Sequence, residues 1–207
     1  MSLTIFATSA SAKIDFPQQT QYNADNTKFA GATMEKKKTQ LQTQRLVLKA
    51  FDECDRQAML DIFFNNEVKK TYMIPDFSSA EQAGVLFEKL MHFSRSEDHF
   101  VYGIYLHDTL IGFVNDCEIK DDSIELGYVI APAYQNRGFA TEAVRACIDE
   151  LFRMGFGHIT AGYFQENTAS CRVMQKCGMH KLDLEEDIEY KGTFHHCLYY
   201  GIDKTHI

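Results

Sequence analysis

The sequence predicts an α+β fold, a twisted mixed sheet of six to seven strands with helices on both faces. Three observations predict it. A strand–loop–helix passage runs from Ser123 to Arg153; three short apolar strands with tight polar turns between them surround its start; and a pair of strands closes the chain. At 207 residues, 45% hydrophobic and 24% charged, the chain can bury a core of its own and has ordinary globular composition.

Residues 1–43 read as a polar N-terminal extension and 44–207 as the folded domain. The extension is rich in Ser, Thr, Ala, Gln and Asn and ends in Glu35-Lys36-Lys37-Lys38, a linker-like composition. If ordered, it has to be tied down, and docking on a neighbouring chain makes a homodimer the expectation. The domain opens with the alternating strand Arg45–Lys49. Asp55 is the expected N-cap of a helix with Ala58, Met59, Ile62 and Phe63 on its apolar face. An aromatic loop, Tyr72–Phe77, precedes a helix that Ser79 and Gln82 should start as a capping box and that runs to about Phe93.

Strands at Phe100–Leu106, Ile111–Ile119 and Ile124–Ile130 follow. The turns His107-Asp108-Thr109 and Lys120–Ser123 are too short for a crossover, so the three should form an antiparallel meander. Ala131-Pro132 ends the third strand, because proline cannot donate to a ladder. After the loop Tyr134–Gly138, Ala140, Ala143, Val144, Cys147, Ile148, Leu151 and Phe152 recur at helical spacing and form one apolar face, with Gly155 at the expected C-terminal stop. Ile159–Phe164 then returns as a strand, parallel to the Ile124 strand if the crossover is right-handed. Asn167 can cap a helix to Lys176, which Gly178 ends. Lys181–Tyr190 and His196–Ile202 close the sheet as a hairpin.

A strand, a glycine-containing loop and a helix N-terminus together suit an anion, because first-turn amides lack internal partners and Gly138 lets a ligand approach the backbone. The loop has neither the Gly-Lys-Ser/Thr of a Walker A nor the three glycines of a dinucleotide fingerprint. On the loop alone, an ordinary strand-to-helix turn is an equal reading.

Its residues carry a resemblance. Gln135-Asn136-Arg137-Gly138-Phe139-Ala140 matches the Q/R-x-x-G-x-G/A signature of the GNAT superfamily of acyl-CoA-dependent N-acetyltransferases. Glu125–Ile130 before it and Ala140–Ala143 after it resemble the branch that acetylates N-termini of ribosomal proteins (the RimJ/RimL type). A second block, Asn167-Thr168-Ala169-Ser170 with Lys176-Cys177-Gly178-Met179, resembles that branch's N-x-x-S…K-x-G-F segment, with Met179 where Phe is usual. The resemblance spans about Gln44 to Asp203.

It implies a GNAT fold whose central parallel strands splay apart to admit the pantetheine arm of acetyl-CoA. Backbone groups of Val129 and Ile130 would pair with that arm, one N–H facing the thioester oxygen. Gln135, Asn136, Arg137, Gly138, Phe139, Ala140 and Thr141 would bind the cofactor, the amides of 137–141 holding its diphosphate. Asn167 would contact the pantetheine amides, Ser170 would serve the sulfur both as a binding and as a catalytic group, and Tyr72 and Phe77 would line the acceptor groove. As residues alone, Asn167 reads as a helix cap and Ser170 as a first-turn residue, while Tyr72 and Phe77 are equally core plugs.

Glu125 is the candidate base. Alternation puts Glu125, Gly127 and Val129 on one face, opposite Leu126 and Tyr128, so Tyr128 is not taken as the acid. A carboxylate on a central strand is costly to bury unless paired or functional, so the alternative is a salt bridge to a neighbouring strand. His195 and His196 are adjacent on a strand, point to opposite faces and have no second ligand pair, so no metal is expected.

A net charge of −8 argues against a nucleic-acid partner. With no apolar run near ~18 residues there is no membrane partner, and six cysteines without a C-x-x-C pair suit a cytoplasmic protein. The expected function is direct transfer of an acetyl group to a primary amine. A peptide α-amine leads, because its pKa of roughly 8 leaves more neutral nucleophile at pH 7 than a lysine near 10. A polyamine or aminoglycoside acetyltransferase, or a non-catalytic acyl-CoA-binding module, are the alternatives. Gly127 and Gly162 also leave room for a larger acyl group.

Overall fold

The computed structural model describes residues 35–204, and within them eight strands form one sheet in the order β1-β2-β3-β4-β5-β6-β8-β7. The strands are β1 (Gln40–Gln42), β2 (Leu46–Lys49), β3 (Tyr102–Leu106), β4 (Thr109–Lys120), β5 (Ser123–Ile130), β6 (His158–Phe164), β7 (His180–Tyr190) and β8 (Thr193–Asp203). The helices are α1 (Arg56–Phe64), α2 (Asn66–Lys69), α3 (Ala80–Arg95), α4 (Phe139–Met154) and α5 (Thr168–Lys176). The sheet is wider than the six to seven strands expected. The added strand, β1, is a Gln-Leu-Gln segment with one buried residue, too short to carry an alternation signal.

β3, β4 and β5 form the antiparallel meander, β5 and β6 the parallel pair, and β6, β8 and β7 an antiparallel edge. One face packs on α4 and α5 through Leu126, Ile130, Ala143, Val144, Cys147, Leu151 and Met174. The other packs on α1 to α3 through Met59, Phe63, Phe87, Phe113 and Val129. Both helical layers are needed because a central strand buries both of its faces.

Local chemistry sets the helix starts, with one difference from expectation. Asp52, not Asp55, caps the entry to α1: its carboxylate accepts from the Glu53 amide at the head of a 3-10 turn, Glu53–Asp55. Asp55 turns inward instead, accepting from the Asp52 amide and the Tyr105 hydroxyl. Ser79 caps α3 as expected, while Gln82 reaches one residue further back, to the Ser78 amide.

Of the expected extension, residues 1–34 lie outside the described residues. Residues 35–38 pack on the same chain, where the Glu35 amide donates to Met154 O at 2.9 Å and the Lys38 amide to buried Glu150 at 2.7 Å. Arg153 binds Glu150 and the Lys36 carbonyl.

Candidate active site

The ladder between β5 and β6 contains three residue pairs, Ser123–His158, Ile124–Ile159 and Glu125–Thr160, and stops there. β5 nevertheless continues to Ile130, held by β4, and β6 to Phe164, held by β8. The two strands are tied at their base by the β4–β5 turn, where Asp122 O accepts from the Gly157 and His158 amides. Above Glu125 the β5 backbone, including Val129 and Ile130, has no ladder to β6. An extended ligand arm can enter such a seam and supply the missing strand.

At the top of β5 the loop turns back through two left-handed residues, Asn136 (φ 58°) and Gly138 (φ 80°). Asparagine and glycine are the residues that accept this conformation. The loop presents the start of α4. Glu142 N–H closes the first helical bond, to Gly138 O. The amides of Phe139, Ala140 and Thr141 have no acceptor among the described residues, and Asn136, Arg137 and Gly138 are exposed. These are the orphan donors that an anion satisfies.

Gln135 donates its side-chain amide to Ile130 O at 2.9 Å, fastening the loop to the strand end. The Arg137 guanidinium lies over the Phe139 ring at 4.9 Å and makes no ion pair among the described residues. Arg45, which sequence reasoning did not place here, donates to Arg137 O at 3.0 Å and pairs with Glu142 at 2.6 Å. No local pattern around Arg45 marks it, because its partners lie more than ninety residues away.

On the face toward α1 to α3 stand Glu125 and Gly127. Burial, and then the negative charges of Glu118 and Glu186, push the Glu125 carboxyl up to about 7. No basic side chain pairs with it among the described residues, so the salt-bridge alternative is not realised. Tyr72 reaches the same place, its hydroxyl bonded to Asn115 Oδ1 and its ring packed edge-on against Phe113 at 5.7 Å. A Cβ on Gly127 would come within 2.8 Å of that hydroxyl and 2.9 Å of Cys117 Sγ, so glycine lets Tyr72 close over the strand. Phe77 lies further out, 6.0 Å from both the Phe63 and Phe64 rings of α1, and is not gathered with Glu125.

On the opposite face, Asn167 caps α5 by accepting from the Ser170 amide at 3.2 Å. Ser170 Oγ lies 2.7 Å from the Tyr128 hydroxyl. Alternation along β5 thus separates Tyr128 from Glu125 and delivers it to Ser170. Tyr128, not expected to be the acid because it faces away from Glu125, lies on the face that α5 covers.

The two adjacent histidines do face opposite ways: His195 bonds Glu166 and stacks on Phe164, while His196 bonds Asp187. Among the described residues no three His, Cys, Asp or Glu side chains gather in metal-binding geometry. No helix there is long and apolar enough to cross a membrane.

An opened parallel pair above an amide-lined helix start suits an extended ligand that carries an anionic group. The model of the acetyltransferase (GNAT) domain matches residues 45–180, and the chain belongs to that family: it is an acetyl-CoA-dependent N-acetyltransferase. It is 30% identical to the uncharacterized N-acetyltransferase YoaA of Bacillus subtilis over 170 residues, 79% of this chain and 96% of that one. A GNAT-family acetyltransferase from Bacillus anthracis superposes with a TM-score of 0.69 at 25% identity, over 80% of this chain and 99% of that one. RimL, a ribosomal L7/L12 α-N-protein acetyltransferase solved with coenzyme A, superposes with a TM-score of 0.70 at 17% identity, over 79% and 97%.

Proposed function

We propose that the enzyme acetylates the N-terminal α-amine of a protein or peptide, directly and without a covalent acyl-enzyme. The observation that carries this reading is Glu125, a carboxylate with no cation beside it and a pKa raised to about 7, placed where the β5–β6 ladder ends. A base near neutrality suits an α-amine, whose own pKa of roughly 8 leaves a useful neutral fraction. RimL, which acts on a protein α-amine, supports the same acceptor class by likeness of fold.

Acetyl-CoA supplies the activated acyl group. The partnerless amides of Phe139, Ala140 and Thr141, with Arg137 beside them, suit its diphosphate. The unpaired β5 edge at Val129 and Ile130 suits its amide-bearing arm and offers an N–H to the developing oxyanion. Glu125 takes the amine proton, directly or through a water, and Ser170 on the other face hydrogen-bonds the departing sulfur. A polyamine is the second reading, favoured by the two further carboxylates, Glu118 and Glu186, whose negative charges reach Glu125. The six cysteines are all free thiols, which supports a reducing, cytoplasmic setting. A homodimer is part of the proposal, and a light-scattering mass of one chain would remove it.

Thiol release from acetyl-CoA decides among acceptors, measured with a peptide beginning in serine, with spermidine and with an aminoglycoside. The peptide should be the best substrate, and Glu125→Gln should lower its turnover by ~10²-fold or more. Turnover of spermidine alone would replace this reading by the second.

A further inference from the structure

The mechanism leaves one polar group without a role. Tyr128 Oη sits 2.7 Å from Ser170 Oγ and 3.2 Å from the Ser170 carbonyl, inside the seam face covered by α5. We propose that Tyr128 is a positioning residue for the leaving group: its phenol donates to Ser170 Oγ and so turns the serine O–H toward the CoA sulfur. The proposal rests on the reading of Ser170 given above.

Three arguments carry it. The first is rotational. A serine in the first turns of a helix is free to swing its hydroxyl toward backbone acceptors, and a donor fixed at its oxygen removes that freedom. Tyr128 is fixed, since it projects from a central strand paired to β4 and packs among the residues that join β5 to α4 and α5. The second is polarisation: a hydroxyl that accepts one hydrogen bond becomes a better donor in the next. The phenol has one proton and two acceptors in reach, the Ser170 carbonyl at 3.2 Å and Oγ at 2.7 Å, and the proposal assigns it to the nearer one.

The third argument is geometric and concerns the whole strand. Successive residues of β5 alternate faces, so Glu125 and Tyr128 address opposite sides of the seam. A thioester lying in the plane of the opened sheet can then be attacked by the amine from the Glu125 side and lose its sulfur toward the Tyr128–Ser170 side. In that step the amine nitrogen forms the C–N bond and its proton passes to the Glu125 carboxylate. The C–S bond breaks with its electron pair on sulfur, and the thiolate leaves held by the Ser170 O–H. One carboxylate is neutralised as one thiolate forms, so the charge balances without an external acid.

A double-mutant cycle on turnover tests it, using the full chain and the serine-initiated peptide. Tyr128→Phe should lower kcat by about tenfold with the KM for acetyl-CoA unchanged, and Ser170→Ala should lower it by ~10²-fold, the scale of one lost transition-state hydrogen bond. The loss from Tyr128→Phe should vanish in the Ser170→Ala background and persist in Ser170→Thr, which keeps the hydroxyl. An equal loss in the Ser170→Ala background would overturn the proposal, because Tyr128 would then act on the fold and not through the serine. A Tyr128→Phe enzyme that raises the KM for acetyl-CoA without changing kcat would overturn it as well. Full turnover by Ser170→Ala would instead refute the serine assignment on which it stands, and spermidine-only turnover would refute the acceptor and leave the cycle to be read with spermidine.

Discussion

Glu118 stands directly opposite Glu125 across the β4–β5 ladder, because a bulge at Cys117 shifts the register by one residue. Without the bulge, Cys117 would face Glu125 and Glu118 would move to the other face. Burial of Glu125 is the main reason its carboxyl resists ionisation, and the like charge of Glu118 directly opposite adds to it.

Stability therefore depends on pH in a definite direction. The folded state holds the Glu125 proton up to about 7, against 4.5 for an unperturbed carboxyl. The stability this represents is fully present below the unfolded value and is lost as pH rises through about 7. The loss is on the order of 3 kcal/mol. Glu125→Gln, which cannot ionise, should raise the melting temperature at pH 8 relative to the parent. That gain should shrink toward pH 5. A constant difference at both pH values would show that Glu125 ionises as freely in the fold as outside it.

Activity should follow the same group with the opposite consequence. The base works only when ionised, so kcat/KM should climb with pH until about 7 and then level as far as Glu125 is concerned. Neutralisation of the acceptor amine adds a second rise centred at roughly 8 for an α-amine. In Glu125→Gln the lower limb should disappear and the upper one remain. A pH–rate profile of both enzymes on one peptide checks this.

Tyr190 clamps the loop that carries Tyr72. Its hydroxyl accepts from the Ile74 amide at 3.2 Å and lies 3.1 Å from Ile74 O, and neighbouring Lys191 pairs with Asp76 at 2.5 Å. Tyr190→Phe leaves the Ile74 amide without its acceptor, a loss of about 1–3 kcal/mol if no water replaces it. The KM for the peptide should rise while the KM for acetyl-CoA stays constant, because the clamp touches the loop over the Glu125 face and not the α4 loop. Steady-state kinetics with each substrate varied in turn distinguishes the two.

Gly138 holds φ at 80° at the entrance to α4. An alanine there adds about 1–2 kcal/mol of left-handed strain. Its methyl would stand 3.4 Å from an Arg45 guanidinium nitrogen, an ordinary contact, so the backbone and not crowding is what resists. Gly138→Ala should weaken acetyl-CoA binding by about tenfold, the equivalent of ~1.4 kcal/mol, as the three free amides lose their common aim. Calorimetric titration with CoA measures it.

Much of this architecture was legible along the chain. The apolar spacing of α4 placed its buried face on Ala140, Ala143, Val144, Cys147, Ile148, Leu151 and Phe152; all are buried except Ala140, which at the open first turn is partly so. The two-residue turns at His107 and Asp121 dictated the meander, and both take the positive φ that such turns require. The signature at 135–140 located the amide-lined loop. β1 and α2 were not legible, because three and four residues span barely one repeat of a strand or helix pattern and so cannot establish either. The cap at Asp52 was missed because Asp52 and Asp55 are both acceptable caps by type, and a contact with Tyr105, fifty residues away, decides which faces inward.

What the sequence determined by itself is what short-range periodicity encodes: which segments are strands or helices, which of their faces are apolar, and that Glu125 and Tyr128 point to opposite sides of one strand. Only the tertiary structure decided what waits on each side. The bulge at Cys117 brought Glu118 against Glu125, the α2–α3 loop brought Tyr72 over Gly127, and the packing of α5 set Ser170 on Tyr128. The physical reason is that hydrogen-bond register and side-chain contact depend on chain segments tens of residues apart, and no local pattern carries information about where those segments meet.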